Sequence, residues 1–152
     1  MSSTSTSDIQ AGLRVGVFGA ILTERAELML LHRNDMDRWC LPGGLMEVGE
    51  SIEQCLIREC REELGADIAL RSLVGVYSDP GRHLFRTPGG VVHYATLVFH
   101  VAVVSGVPTS VSSESRAVKY FSFDNLPNVV PSHRVWIEDT FVSTAGSAPF
   151  IR

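Results

Sequence analysis

Between Gly44 and Ala66 the chain reads GLMEVGESIEQCLIRECREELGA, a run that sets Glu59, Glu62 and Glu63 at helical spacing after a Gly-Gly turn, with Glu50 and Arg58 ahead of them. Carboxylates at i and i+4 on an exposed helix repel by only about 0.2–0.5 kcal/mol. At about 6 Å in a partly buried site of effective dielectric near 20, the repulsion is roughly 3 kcal/mol. The cluster also occupies the C-terminal half of the helix, where the macrodipole disfavours negative charge. A hard divalent cation held by oxygen ligands reverses the sign of each of these effects, and Mg²⁺ keeps open positions for water and phosphate oxygens.

A plain solvated face is the competing reading, and a helical wheel argues against it. At about 100° per residue from Glu59, the apolar Ile52, Leu56, Cys60, Leu64 and Ile57 project between about 20° and 160°. Glu63 falls at about 40°, inside that stripe, and Glu62 at about 300°. Arg58 projects at about 260°, near the expected centre of the solvent face. Glu59 and Glu63 therefore border or enter the buried stripe.

The elements that must position this run are legible around it. Leu13–Leu22 and Leu28–His32 read as strands joined by the polar TERAE turn, and Trp39–Leu41 as a short strand stopped by Pro42, Gly43 and Gly44. Ser51–Leu64 reads as a helix, with Ser51 and Gln54 in a capping box and Gly65 as the C-terminal stop. Ala69–Tyr77, Val91–Val104 and Ala117–Ser122 read as strands, with the second half of Val91–Val104 buried on both faces. Ser78–Gly90 reads mostly as loop, and Ser132 to Thr144 as a second helix with Ser132 at its N-cap. Strands with one early and one late helix give a mixed α/β domain over residues 11–145, flanked by a disordered Ser/Thr-rich tail at 1–10 and a C-terminal tail at 146–152.

Composition narrows the function classes. A chain of 152 residues with net charge -4 and no basic run has no electrostatic reason to track a nucleic-acid backbone. No apolar stretch approaches the roughly 18 residues that span a bilayer, and MSSTSTSDIQ lacks the regions of a secretory signal, so the expectation is a soluble cytoplasmic protein. Cys40, Cys55 and Cys60 have neither disulfide nor zinc spacing and read as buried small residues.

The run resembles the signature of the Nudix (MutT-like) hydrolases, Gx5Ex7REUxEExGU with U a bulky aliphatic residue. All seven fixed identities are present: Gly44, Glu50, Arg58, Glu59, Glu62, Glu63 and Gly65. At about 6% usage per residue type, chance supplies them in roughly one of 10⁸–10⁹ windows. Cys60 and Ala66 are smaller than the pattern asks, at packing positions. The resemblance implies a mixed β-sheet sandwiched between helices (α/β/α) and hydrolysis of a phosphoanhydride in a nucleoside diphosphate linked to another moiety, such as ADP-ribose, an NDP-sugar or a modified nucleoside triphosphate. It implies Mg²⁺, or Mn²⁺, as cofactor, with Glu59, Glu62 and Glu63 as metal carboxylates, one of which could double as base. Gly43, or else Gly44, would offer a carbonyl to the metal, and Glu50 would pair with Arg58. A further acidic ligand or base is expected beyond the box. Glu114 is the one Glu between Gly65 and Glu138, with Asp79 and Asp124 the nearby aspartates, although relatives carry Glu where Ala117 stands.

Outside the box, Arg33, Arg82 and Arg86 are the expected phosphate or ribose contacts, with His32 and His83 beside them. Pro80 lies close to, but not at, the position of a proline that marks ADP-ribose hydrolases. His93, His100 and His133 are assigned to core or surface. The expected partner is a small nucleotide-derived substrate, with a homodimer as the quaternary expectation. The rival readings are a Nudix-fold nucleotide sensor without catalysis and an RNA 5′-end pyrophosphohydrolase; the intact carboxylate set argues against the first and the acidic charge against the second.

Overall fold

The computed structural model describes residues 11–152. The expected tail at residues 1–10 lies outside the described residues. Among the described residues, nine strands and two long helices, α1 (Ile52–Leu64) and α3 (His133–Val142), form the domain, with a single helical turn, α2, at Pro80–His83. A mixed sheet runs in the order β4 (Gly43–Leu45), β1 (Ala11–Ala20), β7 (Gly90–Ser105), β5 (Asp67–Tyr77) and β9 (Phe150–Ile151), with β6 (Leu84–Thr87) also paired to β7. β1 and β7 are parallel, as are β5 and β9; the other pairs are antiparallel. A separate antiparallel sheet holds β3 (Arg38–Cys40), β2 (Leu28–Arg33) and β8 (Ser115–Phe121).

β2 shows how the layers form. Met29 and Leu31 pack in the cluster with Cys55, Leu56, Cys60 and Leu64 of α1. Leu28 and Leu30 pack in the other cluster, with Trp136 and Ile137 of α3. Successive strand side chains point to opposite faces, so a run of four buried apolar residues must have a helix on each side. The α/β/α sandwich follows. Cys60 and Ala66, the two small residues of the box, are both buried.

Several expectations are corrected. The short strand expected at Trp39–Leu41 is β3 and ends before Pro42, but Gly43 and Gly44 then form β4, pairing with Phe18 and Val17 of β1. Ser78–Gly90 is not mostly loop. Pro88 and Gly89 form the turn of a hairpin between β6 and β7, in which the Thr87 hydroxyl donates to the Gly90 carbonyl at 2.9 Å. Ser132 has helical backbone angles and makes no capping bond. β7 is central, but its second half is not buried on both faces: only Val98 and Val101 are buried there, Phe99, His100, Ala102 and Val103 are partly covered, and Val104 is exposed. Residues 150–152 are not a tail. Phe150 and Ile151 pair with Gly75 and Val76, where a Cβ on Gly75 would meet the Phe150 carbonyl oxygen at 2.8 Å. Arg152 then grips the buried Asp139 through two bonds of 2.9 and 3.1 Å, and Tyr77 donates to the same carboxylate at 2.9 Å. The pairing uses a glycine and a buried acid far away in sequence, neither of which the local pattern marks.

Candidate active site

Helix α1 and strand β4 hold the acidic cluster between them. The capping box at Ser51 and Gln54 is formed, with bonds of 3.1 and 2.8 Å, and Gly65 ends the helix in the left-handed conformation with φ 62°. With its ends fixed, the helix turns Glu59 and Glu63 toward β4. The Glu59 side chain is only 15% exposed. Glu63 accepts from the Gly43 N–H at 3.4 Å.

The two glycines make this approach sterically available. A Cβ on Gly43 would lie 2.2 Å from the Val17 carbonyl oxygen, and the residue sits at φ +142°. A Cβ on Gly44 would lie 2.4 Å from a carboxylate oxygen of Glu59. Hence β4 carries no side chain where the carboxylates must stand.

Burial pushes the Glu63 carboxyl up to about 9, with the neighbouring Glu59 charge adding to the effect; the Gly43 N–H opposes it and Glu114 reinforces it. Such a group holds a proton at neutral pH unless positive charge replaces it. Two adjacent, largely buried carboxyl groups open to a cleft are hard oxygen donors. Among the described residues no third acidic, His or Cys side chain closes a cluster with them, so the pair suits a hard divalent cation that keeps water and phosphate oxygens as its remaining ligands.

Arg58 corrects the wheel. It is not centred on solvent but three-quarters covered, because the segment from Leu45 to Glu50 folds over that face. Its guanidinium grips Glu50 with two bonds of 2.7 and 2.9 Å, donates to Glu59 at 2.9 Å, and reaches the Leu45 carbonyl at 3.2 Å. The Arg58 bonds, together with the Glu47 N–H, hold Glu50 down to about 2. The expected Glu50–Arg58 pairing is thus present, and Arg58 also aims Glu59. Glu62 is not brought to the buried pair. It is 58% exposed, and its contacts to Arg58 are long, at 3.4–3.5 Å.

A cleft of about 600 Å³ opens onto Glu59, Glu63, Gly43 and Gly44, and Glu114 and Arg33 line it too. Glu114 reaches the cleft because the Asn34 N–H bonds its carbonyl at 2.9 Å, tying the loop before β8 to the end of β2. A register shift between His32 and Arg33 interrupts the β2–β8 ladder at this point, as bulges commonly do where a strand re-aims a side chain. An adjoining cleft of about 800 Å³ contains Arg33, Arg82 and Arg86 together. All three expected basic residues therefore share one wall system. Arg33 is already paired with Asp35, at 2.6 and 2.9 Å, whereas Arg82 and Arg86 have no ion pair among the described residues.

Other candidates fall elsewhere. Asp79 caps α2 through the Gly81 N–H and Asp124 lies in a short helical turn; neither lines the carboxylate cleft. His32 stacks on Trp39 and bonds Asp37. His93 donates to the Ser78 carbonyl, and His100 is half-buried. Cys40, Cys55 and Cys60 are buried and unpaired as disulfides, with burial pushing the Cys40 and Cys55 thiols up to about 12. His133, read as core or surface, is buried but lines the arginine cleft, and its Nδ1 accepts the Leu41 N–H at 3.2 Å. Phe18 and Tyr94 also line the carboxylate cleft, Trp136 lines a smaller cavity of about 150 Å³ beside it, and the sequence reading singles out none of the three. His133 and Trp136 stand one turn apart on α3, a spacing that could have flagged them.

Among known proteins, the sequence model of the NUDIX domain matches residues 12–140. A protein of Methanocaldococcus jannaschii named ADP-ribose pyrophosphatase is 33% identical over 127 residues, covering 82% of this chain and 71% of that protein. A putative 8-oxo-dGTP diphosphatase of Bacillus subtilis is 32% identical over 129 residues, covering 82% and 77%. The crystal structure of a MutT NUDIX hydrolase from Burkholderia pseudomallei superposes with a TM-score of 0.66 at 30% identity, over 84% of this chain and 97% of that one.

Proposed function

The chain belongs to the Nudix family and is a Nudix hydrolase acting on pyrophosphate linkages, and from that premise we propose that it cleaves the phosphoanhydride of a nucleoside diphosphate derivative of the ADP-ribose class with Mg²⁺ as cofactor. The observation that carries this reading is the buried Glu59–Glu63 pair against a strand of two glycines, at the floor of a cleft whose wall continues into Arg33, Arg82 and Arg86. The relative named ADP-ribose pyrophosphatase supports the substrate class.

In the proposed roles, Glu59 and Glu63 with the Gly43 carbonyl would hold the cation, and Glu62 would join them from the cleft edge. Its long contacts to Arg58 cost little to release. The chemistry a bound cation would supply there is neutralisation of phosphate charge and acidification of water. Arg33, Arg82 and Arg86 bind the phosphates and fix the attacked phosphorus, a positioning effect that carries much of the acceleration in phosphoryl transfer. Glu114, whose carboxylate has no hydrogen-bond partner among the described residues, takes the proton of the attacking water. Arg58 touches no substrate; it holds Glu59 and Glu50 in place.

The test is a panel of ADP-ribose, a UDP-sugar and 8-oxo-dGTP, each with EDTA, Mg²⁺ or Mn²⁺, for wild type, Glu63→Gln and Glu114→Gln. The expected result is metal-dependent cleavage, fastest for ADP-ribose, abolished by Glu63→Gln and slowed by about 10²-fold or more in Glu114→Gln. No metal-dependent cleavage of any of the three, or a Glu63→Gln variant as active as wild type, would overturn the reading.

A further inference from the structure

The turn that carries Arg82 into the arginine cleft has little of its own to hold it. The backbone bonds of α2 return to one residue. The Arg82 and His83 N–H groups donate to the Asp79 carbonyl at 3.0 and 2.9 Å, and the Gly81 N–H donates to the Asp79 carboxylate at 3.2 Å. β6, which follows, is exposed along its whole length. One helical turn is not stable by itself, so the place of Arg82 is set by whatever fixes Asp79. Arg152 does this. Its carbonyl accepts the Ser78 N–H at 2.6 Å and the Asp79 N–H at 3.3 Å, and its own N–H donates to the Val76 carbonyl at 2.9 Å. From the sheet side, His93 reaches the Ser78 carbonyl and not Asp79.

The Arg152 side chain turns the other way, to α3. Its Nε and Nη2 grip the buried Asp139 carboxylate, and its guanidinium lies 4.8 Å over the Phe150 ring. Phe150 in turn packs against the core cluster that contains Trp136 and Ile137 of α3. Breaking the pair would leave a buried carboxylate with Tyr77 as its remaining donor, so the grip is costly to release. Asp139 stands one turn along α3 from Val135, which lines the arginine cleft. Behind that cleft lies another, of about 760 Å³, which Asp79, Asp139 and Arg152 line. The two clefts share Arg82, His83, Pro131 and Val135, so residues of α2 and of the start of α3 form the partition between them. Arg152 is bonded behind this partition to both halves, to the α2 turn through its carbonyl and to α3 through its guanidinium.

We propose that Arg152 is a positioning residue for phosphate recognition: it clamps the α2 turn to helix α3 from behind the arginine cleft and so holds Arg82 where the substrate's phosphates bind. Arg152 touches no substrate and acts through Arg82. The clamp rests on the nucleotide-hydrolase reading, in which Arg82 receives a phosphate. Without the guanidinium, the strap keeps only the two-residue β9 pairing and Phe150, and the α2 turn loses its tie to α3. Charge-assisted bonds from a guanidinium to phosphate depend on geometry, so a loosened Arg82 binds phosphate less well. Tyr77 supplies a structural control. It donates to the same Asp139 carboxylate from β5 and makes no bond to α2 among the described residues.

ADP binding, measured by calorimetry in EDTA, tests the clamp on wild type, Arg152→Ala, Arg82→Ala, the double variant and Tyr77→Phe. The expected result is about a tenfold loss of affinity in Arg152→Ala and at least as large a loss in Arg82→Ala. The double variant should bind no worse than Arg82→Ala alone, because a positioning residue then has nothing to position. Tyr77→Phe should bind ADP as wild type does. Wild-type affinity in Arg152→Ala, or losses that multiply in the double variant, overturns the clamp. Wild type that does not bind ADP overturns it too. Should Arg152→Ala fail to fold, amide exchange in the wild type gives the second readout, since coupling between two sites is reciprocal. Saturating ADP should slow exchange of the Ser78 N–H about tenfold and leave the Thr23 N–H, in a turn that lines neither cleft, unmoved. Ser78 exchange that ADP leaves unchanged overturns the clamp. Non-additive losses without any metal-dependent hydrolysis of ADP-ribose would instead keep the clamp and overturn the hydrolase reading.

Discussion

Adding one methyl group at Gly44 should separate catalysis from folding. A Cβ there would stand 2.4 Å from one Glu59 carboxylate oxygen and 2.5 Å from its Cδ, whereas ordinary contact begins at 3.4 Å. The obstacle is the far end of a side chain, so the fold can yield by moving the Glu59 carboxylate about 1 Å. A misplacement of that size in a catalytic array costs on the order of 10²-fold in rate, or about 2.7 kcal/mol of transition-state stabilisation. Gly44→Ala should thus keep its thermal midpoint near that of wild type while kcat on ADP-ribose with Mg²⁺ falls about 100-fold. Gly43→Ala is the contrasting control. Its Cβ would meet backbone, the Val17 carbonyl at 2.2 Å, at a φ of +142° that L residues avoid, so it should lower stability outright. The assays are differential scanning fluorimetry and steady-state phosphate release on both variants. A Gly44→Ala enzyme within threefold of wild-type kcat would refute the placement of Glu59 at the reacting centre.

Three further outcomes follow from the same geometry. Because Glu63 is pushed up toward 9 from the usual carboxylate value near 4.3, the folded state binds more protons than the unfolded state between those values, and metal-free stability should decline as pH rises through that window. Urea titrations from pH 4 to 9 should show the decline in wild type and a flatter profile in Glu63→Gln; equal slopes would count against the buried acid. Glu50 shifts the other way, held down to about 2 by Arg58, so the stability from that pair should be present above the usual carboxylate value and lost as pH falls toward 2. Arg58→Ala should be less stable than wild type at pH 7, with the difference shrinking toward pH 2, and a pH-independent difference would contradict the pairing. Tyr77→Phe removes the hydroxyl donor from the buried Asp139 and should cost about 1–2 kcal/mol in chemical denaturation with activity unchanged. A neutral result would mean that Arg152 alone satisfies that carboxylate.

The parts of this molecule that could be read in advance are those where local and global signals coincide. α1 carries its cap, its stop and its apolar stripe in one segment, and the same stripe that defines the helix places Glu59 and Glu63 beside the core. β4 was hidden because two glycines ordinarily signal a break. They pair as a strand here because the partners across the gap, the Val17 carbonyl and the Glu59 carboxylate, exclude any side chain. β6 was hidden because Pro88-Gly89 reads equally as loop or hairpin turn, and the long apolar β7 settles the matter by offering an edge. Arg58 was placed toward water because a wheel knows one helix and not the segment that covers it. The aromatic residues of the small cavity beside the clefts come from β1, α2, β6, β7 and α3, and apart from the one-turn spacing of His133 and Trp136 on α3 no helical or strand period connects them.

This division has a mechanical basis. Glu59 and Glu63 are fixed twice, by a capped helix and by a strand with no room for alternatives, so their geometry tolerates little variation. Phe85 and Arg86 sit on β6, whose residues are all exposed and whose outer edge has no strand partner among the described residues. Arg82 lies on a single helical turn held by Asp79. Substitutions on the hairpin therefore have little packing to disrupt, whereas substitutions on β4 meet backbone or carboxylate at once. On the roles proposed for these residues, a scaffold built this way would keep the bond-breaking centre constant while segments that can change without unfolding the domain choose the group attached to that bond.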